Sequence, residues 1–292
     1  MSENHTTTEA EELALHESPH DAPRAYFVRL AEPETGEDGV RRSHVRSTVH
    51  AQGAWRPEEL HMASTSGLLV HEISAIAEAG HLRIARLSYD ILGTLWAGEL
   101  DVETKVVRPG RTIELVESTL TARGRAVLVC RAWLLSTSDT TAVENLPDEP
   151  LTPREQCSGD NSLKSWDGGF IASLSGVAAP DHAPGHGRIW VSTELDMVDG
   201  EPTSDLTRLM GLADTANGIA PVMEPRPGGY FYPNVDLQIH LFRAPTGSWL
   251  GLANQVTVGT DGIGLTSSVL HDETGPFAHA EQTLTVRAWP QS

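Results

Sequence analysis

The chain has 292 residues and a formal net charge of −19 at pH 7, from 21 basic against 40 acidic residues. Apolar residues make up 39% and charged residues 21%, enough to bury a core and too apolar for a disordered chain. The acidic excess argues against nucleic-acid or anionic-membrane partners, and two cysteines, Cys130 and Cys157, are too few for a disulfide framework or a thiolate zinc cage.

Residues 1–23 are acidic and polar and read as a flexible tail. They carry no signal-like pattern, and no stretch of the chain approaches the ~20 apolar residues of a membrane span, so a cytoplasmic protein is expected. Short strands at 25–30 and 45–51 precede a helix over 65–80, where Leu69, Val70, Ile73, Ile76 and Ala77 recur at helical spacing and Gly80 is placed to end it. Alternating runs follow at 82–92, at 99–122 with a turn at Pro109-Gly110, and at 125–136 after Gly124.

The stretch 136–169 is poor in large apolar residues and reads as a linker. Beyond it the order repeats. A strand at 188–196 leads to a helix over 203–218, with Leu206, Leu209, Met210 and Ala213 on one side and Gly218 closing it. Strands are expected at 231–243, 248–258, 263–272 and 277–287, separated by turns at Thr246-Gly247, Asp261-Gly262 and Thr274-Gly275. A helix followed by a long antiparallel meander, twice, predicts a curled sheet around a helix in each half. The expected units are a tail at 1–23, a first domain at 24–138, a linker at 139–168 and a second domain at 169–292.

No Gly-x-Ser-x-Gly elbow and no phosphate-binding Gly-x-x-x-x-Gly-Lys loop is present. His182 and His186 have a spacing that could suit a metal, but they sit in a Pro/Gly loop without nearby thiols, so neither a metal nor a cofactor is expected. The informative residues are polar groups inside apolar patterns. Gln282 shares a strand face with Ala278, Ala280, Leu284 and Val286, and Asp214 lies beside the helical stripe, four residues after Met210. A buried amide or carboxylate needs a partner, so these two residues tie helix to sheet or serve a site.

Several segments together carry a family resemblance. ADTANG at 213–218, NVDLQIHLFR at 234–243, GSWLGL at 247–252, DGIGLTSSVLHD at 261–272 and EQTLTVR at 281–287 resemble the C-terminal half of acyl-CoA thioesterase II-like proteins. GAWRPEELHMASTSGLL at 53–69, RLSYDIL at 86–92 and the segment 98–133 resemble the first half. The resemblance implies an α+β tandem (double) hot-dog fold, two antiparallel sheets each wrapping a central helix. It also implies hydrolysis of a CoA or carrier-protein thioester by water, with no covalent nucleophile. The family's Asp and Gln match Asp214 and Gln282; its Thr or Ser position is Asn234 here, whose amide can also orient water. Strand parity points Asn234 away from Gln282 unless Pro233 introduces a bulge.

His61, Met210, Asn217 and Gly218 are expected at the substrate, although Asn217 has a second reading as part of the helix end. The first half is expected to be non-catalytic, to complete the acyl pocket and to pair its sheet with its partner's. Aligning Gly124 with Gly275 places Arg131 opposite Gln282, and the first helix offers Ser66 and Gly67 but no Asp. Gly93-Thr94 stand where relatives often have Arg-Pro, leaving Arg226, Arg243, Arg108 and Arg111 as candidates to meet an anionic carrier. Two other readings stay open: a cyclase- or dehydratase-type biosynthetic enzyme acting on a polyketide-like or carrier-bound intermediate, the dehydratase wanting a His beside its acid, and a non-catalytic acyl binder. No nucleic acid or membrane partner is expected, and a homo-oligomer is left open.

Overall fold

The alternation read from the strands appears directly as burial in the computed structural model, which describes residues 8–79, 81–159, 163, 166–223, 225–226 and 228–289. Gly80 and parts of the expected tail and linker lie outside them.

The segment expected as a tail contains a helix, α1 (Glu9–His16), docked by its own residues. Thr8 and Glu11 form a capping box, with Thr8 N donating to Glu11 Oε2 at 2.8 Å and Glu11 N donating to Thr8 Oγ1 at 3.2 Å. Glu11 also pairs with Arg123 at 2.6 Å, and Ala14 is buried.

β1 (Ala25–Thr35) and β2 (Arg41–Ser47) form a hairpin. The first central helix, α2 (Met62–Ala79), is buried from Met62 through Val70 because both the sheet and the second helix pack against it. The meander continues as β3 (Arg83–Ile91), β4 (Glu99–Arg108), β5 (Ile113–Ala122) and β6 (Arg125–Leu135). Past the connecting stretch come a short helix α3 (Gly169–Ala172), then β7 (Leu174–Ala178), β8 (Arg188–Thr193) and β9 (Asp196–Val198).

The second helix is shorter than the expected 203–218. α4 (Asp205–Met210) stops at Gly211, and the chain tightens into a 3-10 turn over Ala213–Asn217. Close approach to α2 explains the break: a Cβ on Gly67 would collide with Met197 and lie 2.8 Å from Gly211 Cα. Ser66 also donates to the Met210 carbonyl at 3.1 Å. Ser66 and Gly67 therefore serve the helix–helix contact. The tighter turn swings Asp214 toward the sheet.

β10 (Tyr230–Phe231) and β15 (Arg287–Ala288) form a separate two-stranded ribbon. β11 (Asp236–Leu241), β12 (Trp249–Val258), β13 (Ile263–Asp272) and β14 (Gly275–Thr285) complete the second meander.

The architecture is mostly-sheet α+β, but hydrogen bonding makes one sheet where two were expected. Thirteen strands run in the order β7-β8-β12-β13-β14-β11-β3-β6-β5-β4-β2-β1-β9. The junction is antiparallel pairing of β11 with β3, Leu237 opposite Tyr89 and Ile239 opposite Leu87. Both strands are apolar on the face they share, so joining their free edges extends the covered surface and satisfies both backbones. The halves also interlock elsewhere: β9 pairs parallel with β1, and Phe170 N donates to the Gln52 carbonyl at 3.0 Å.

A buried charge network ties α2 to its surroundings. Glu72, 1% exposed, accepts from Arg29 at 2.6 Å and from Arg41 at 3.1 Å. Arg29 turns its other edge to Glu201 at 2.7 Å. A carboxylate this deep is tolerable only because both of its oxygens are paired.

Candidate active site

The 3-10 turn directs Asp214 into the space between α2 and the inner face of β14, where it is 6% exposed. Its Oδ1 accepts two amide N–H groups, Asn234 Nδ2 at 2.8 Å and Gln282 Nε2 at 2.8 Å. Oδ2 accepts from no described residue and lies 3.7 Å from His61 Nδ1. Burial pushes the Asp214 carboxyl from 3.8 up to about 6, against the opposing pull of the Asn234 and Gln282 hydrogen bonds. One oxygen is held and the other left open.

Gln282 reaches this position by the two-residue period: Ala278, Ala280, Gln282 and Leu284 are all buried on one face of β14. Opposite it on β13 is Thr266; Gln282 Oε1 and Thr266 Oγ1 are both buried without a hydrogen-bond partner in the structure.

Asn234 joins them through a bulge. It bridges to Leu284, whereas Gln238 pairs with Glu281, so four steps on one strand oppose three on the other. The extra residue lets the Asp236 side chain, not a carbonyl, accept the Thr283 N–H at 2.7 Å. It exposes Val235 and turns Asn234 inward. Asn234 Nδ2 is also 3.1 Å from the Asp236 carbonyl, which fixes the amide's orientation.

The open side of Asp214 faces a cavity of about 670 Å³ walled by both halves. Trp55, His61 and Leu95 come from the first half; Trp166, Asn217 and Phe231 come from the second part of the chain. Asn217 lines the wall and also ends the 3-10 turn, with Nδ2 donating to the Tyr232 carbonyl at 2.7 Å. Gly218 is in the wall and its carbonyl accepts the Trp166 indole N–H at 3.2 Å. Met210 is not: it is fully buried in the core and does not line the cavity.

His61, expected at the substrate, lies in the cavity wall and also beside Asp214, a neighbour that sequence distance hides. No His lies near Asp214 along the chain, yet the first half delivers one to its free oxygen. The residue immediately precedes α2, its Nδ1 accepts the Ala63 N–H at 3.1 Å, and its ring stacks on Phe170 with centroids 4.3 Å apart. Burial lowers its pKa to about 4, so the ring is neutral at physiological pH.

Among the described residues, the Arg or Lys in the cavity wall is Arg287, which none of the sequence candidates included. Arg243 is committed to Asp272, at 2.7 Å from Nη2 to Oδ1, and Arg108 donates to the Ile113 carbonyl. Arg226 and Arg111 are likewise absent from the wall. In the loop that carries His182 and His186, His182 Nδ1 accepts the Arg188 N–H at 3.1 Å, a structural use of the ring.

The counterpart of Gln282 in the first half is Ala132, not Arg131. Ala122 pairs with Arg125 across one turn and Asp272 with Gly275 across the other, an offset of 150 residues, and both hairpins slip register at the same place. Gly124 lies inside its turn while Gly275 begins its strand, so matching the two glycines misplaces everything after them by one. Arg131 points out to pair with Glu117 at 2.8 Å. With buried Ala132 in the amide's place, the first half has no equivalent of the Asp214 arrangement among its described residues.

Two family models match the chain: the acyl-CoA thioesterase N-terminal domain over residues 51–135 and the acyl-CoA thioesterase C-terminal domain over 143–286. No curated protein sequence matches it. Among solved structures, a protein from Thermobifida fusca provisionally assigned as a thioesterase II is 20% identical, covering 97% of this chain and 99% of its own at a TM-score of 0.65. An acyl-CoA thioesterase II from Mycobacterium marinum is 15% identical over 88% of this chain and 95% of its own, with a TM-score of 0.61. A hot-dog protein of unknown function from Alicyclobacillus acidocaldarius is 12% identical over 96% and 99%, with a TM-score of 0.67. At these identities the structural likeness establishes a shared fold.

Proposed function

The chain belongs to the acyl-CoA thioesterase family, and from that premise we propose that it cleaves an acyl thioester, borne by CoA or a carrier protein, with a water activated by Asp214. The observation that carries this reading is the unequal treatment of the two carboxylate oxygens. Asn234 and Gln282 anchor Oδ1, while Oδ2 faces the cavity with no donor among the described residues.

In the reaction Oδ2 takes one proton from water as its oxygen bonds to the thioester carbonyl carbon. The tetrahedral adduct then collapses, the carbon–sulfur bond breaks, and the departing thiolate receives that proton. The products are a carboxylic acid and a free thiol. A base of pKa about 6 is ionised at neutral pH and still strong enough to accept the proton.

We read the chain as two fused hot-dog units at 24–138 and 169–292, acting in the cytoplasm. Register slips 150 residues apart, Leu120/Thr121 and Leu270/His271, support the duplication. Arg287 at the cavity is consistent with an anionic carrier, against a net charge that would otherwise repel it. Steady-state hydrolysis of a panel of acyl-CoAs, wild type against Asp214→Ala, tests the reading. Loss of turnover in the variant is expected; equal turnover in both proteins overturns it.

A further inference from the structure

The mechanism above assigns nothing to the thioester oxygen, which gains negative charge as water attacks. Stabilising that charge is usually a large part of such a barrier, and it requires a donor fixed in advance on the cavity side of Asp214. His61 meets the requirement through its tautomer. A neutral imidazole carries one ring proton, and because Nδ1 accepts from Ala63, that proton sits on Nε2.

Nε2 has no acceptor among the described residues, nor is it one of the buried polar atoms left unpaired, while the ring belongs to the cavity wall. The N–H therefore opens on the cavity. Phe170 stacking fixes the plane of the ring, and the Ala63 bond fixes its rotation.

Resting on the hydrolase reading, the geometry points to His61 as a catalytic hydrogen-bond donor whose Nε2–H holds the thioester carbonyl oxygen while water on Asp214 Oδ2 attacks the carbon. The carbonyl π pair moves onto oxygen and is held there without proton transfer; it returns as the carbon–sulfur bond breaks. With Nδ1 only 3.7 Å from Oδ2, donor and base flank one small volume, the arrangement an addition to a carbonyl needs. Neutrality also matters. A cation at this distance would hold the Asp214 carboxyl down, whereas burial and two amides alone set it. The same tautomer argues against His61 as the base of a dehydratase, because the nitrogen facing substrate already bears its hydrogen.

The test compares His61→Ser with His61→Gln. Serine still caps α2 by accepting a backbone N–H but cannot reach the carbonyl; glutamine presents an amide N–H near the position of Nε2–H. For His61→Ser, kcat is expected to fall about 10²-fold, with KM within about twofold of wild type and the acid limb of the pH profile in place. His61→Gln should recover part of the loss. Folding is checked by thermal melting; if His61→Ser does not fold, His61→Gln decides against His61→Leu, with equal rates in the two overturning the inference.

His61→Ser turning over within about threefold of wild type overturns it as well. So does wild-type dehydration of a 3-hydroxyacyl-CoA that the Ser variant loses. Should Asp214→Ala be inactive while His61→Ser remains active, only this inference fails and the hydrolase reading stands. Should Asp214→Ala itself be active, both fail.

Discussion

Asn234 faces Leu284 one register step away from where the Gln238–Glu281 pairing would put it, and Asp236 holds that slip open by accepting the Thr283 N–H at 2.7 Å. Removing the acceptor leaves a half-buried N–H unpaired and frees the strand to resume regular pairing. Asp236→Ala is expected to cost about 1–3 kcal/mol and to lower kcat, because Asn234 loses its aim at Asp214. Thermal melts and steady-state kinetics check both effects; unchanged kcat would show that the bulge does not position Asn234.

The pH dependence should have a single acid limb. With Asp214 at about 6 acting as a base, kcat/KM rises through that pH and levels above it. His61, at about 4, titrates below the measured range and adds no limb. A profile flat from pH 5 to 8 would remove Asp214 from the base's role.

Gln282 pulls the Asp214 carboxyl down from where burial alone would put it. Gln282→Ala should therefore shift the acid limb upward and reduce kcat by roughly 10-fold or more, since Oδ1 loses one of two anchors. Parallel pH–rate curves for the two proteins provide the measurement.

Stability and activity should oppose each other at Asp214. Its folded pKa lies above its unfolded value, so the fold favours the neutral acid. That contribution is complete below 3.8 and is lost as pH rises through about 6. The difference corresponds to about 3 kcal/mol at pH 7. Asp214→Asn, which never ionises, should melt higher than wild type at pH 7, with the gap closing as pH falls toward 4, and should be inactive. A gap independent of pH would show that the carboxylate is not strained by burial.

Glu72 offers a contrast away from the cavity. Glu72→Ala strands Arg41, leaves Arg29 with Glu201 as its remaining carboxylate, and should cost about 3–5 kcal/mol, lowering the melting temperature with kcat preserved at temperatures where the fold persists. Urea unfolding and kinetics on one preparation test it.

Much of this could be read along the chain. Alternation located the strands, and a lone amide among Ala278, Ala280 and Leu284 marked Gln282 as needing a partner. What escaped has a physical pattern. Local periodicity cannot show that Gly211 must yield to Gly67, so the apolar spacing predicts a longer second helix than the one that forms. The Thr8–Glu11 capping box starts a helix inside a segment whose acidic, polar composition by itself predicts a tail. His61 is 153 residues from Asp214, and only the packing of α2 against the turn brings them together. The single sheet depends on two strands that each look like an ordinary edge until they meet.

That meeting bears on how the protein can be taken apart. Cutting the chain within 139–168 and separating the products would leave β3 and β11 each with a row of unsatisfied amides and carbonyls beside apolar side chains, the template on which sheets aggregate. Either fragment made alone should therefore precipitate or pair with its own kind, whereas co-expression should give a soluble heterodimer. Intact, the protein should melt in one cooperative step.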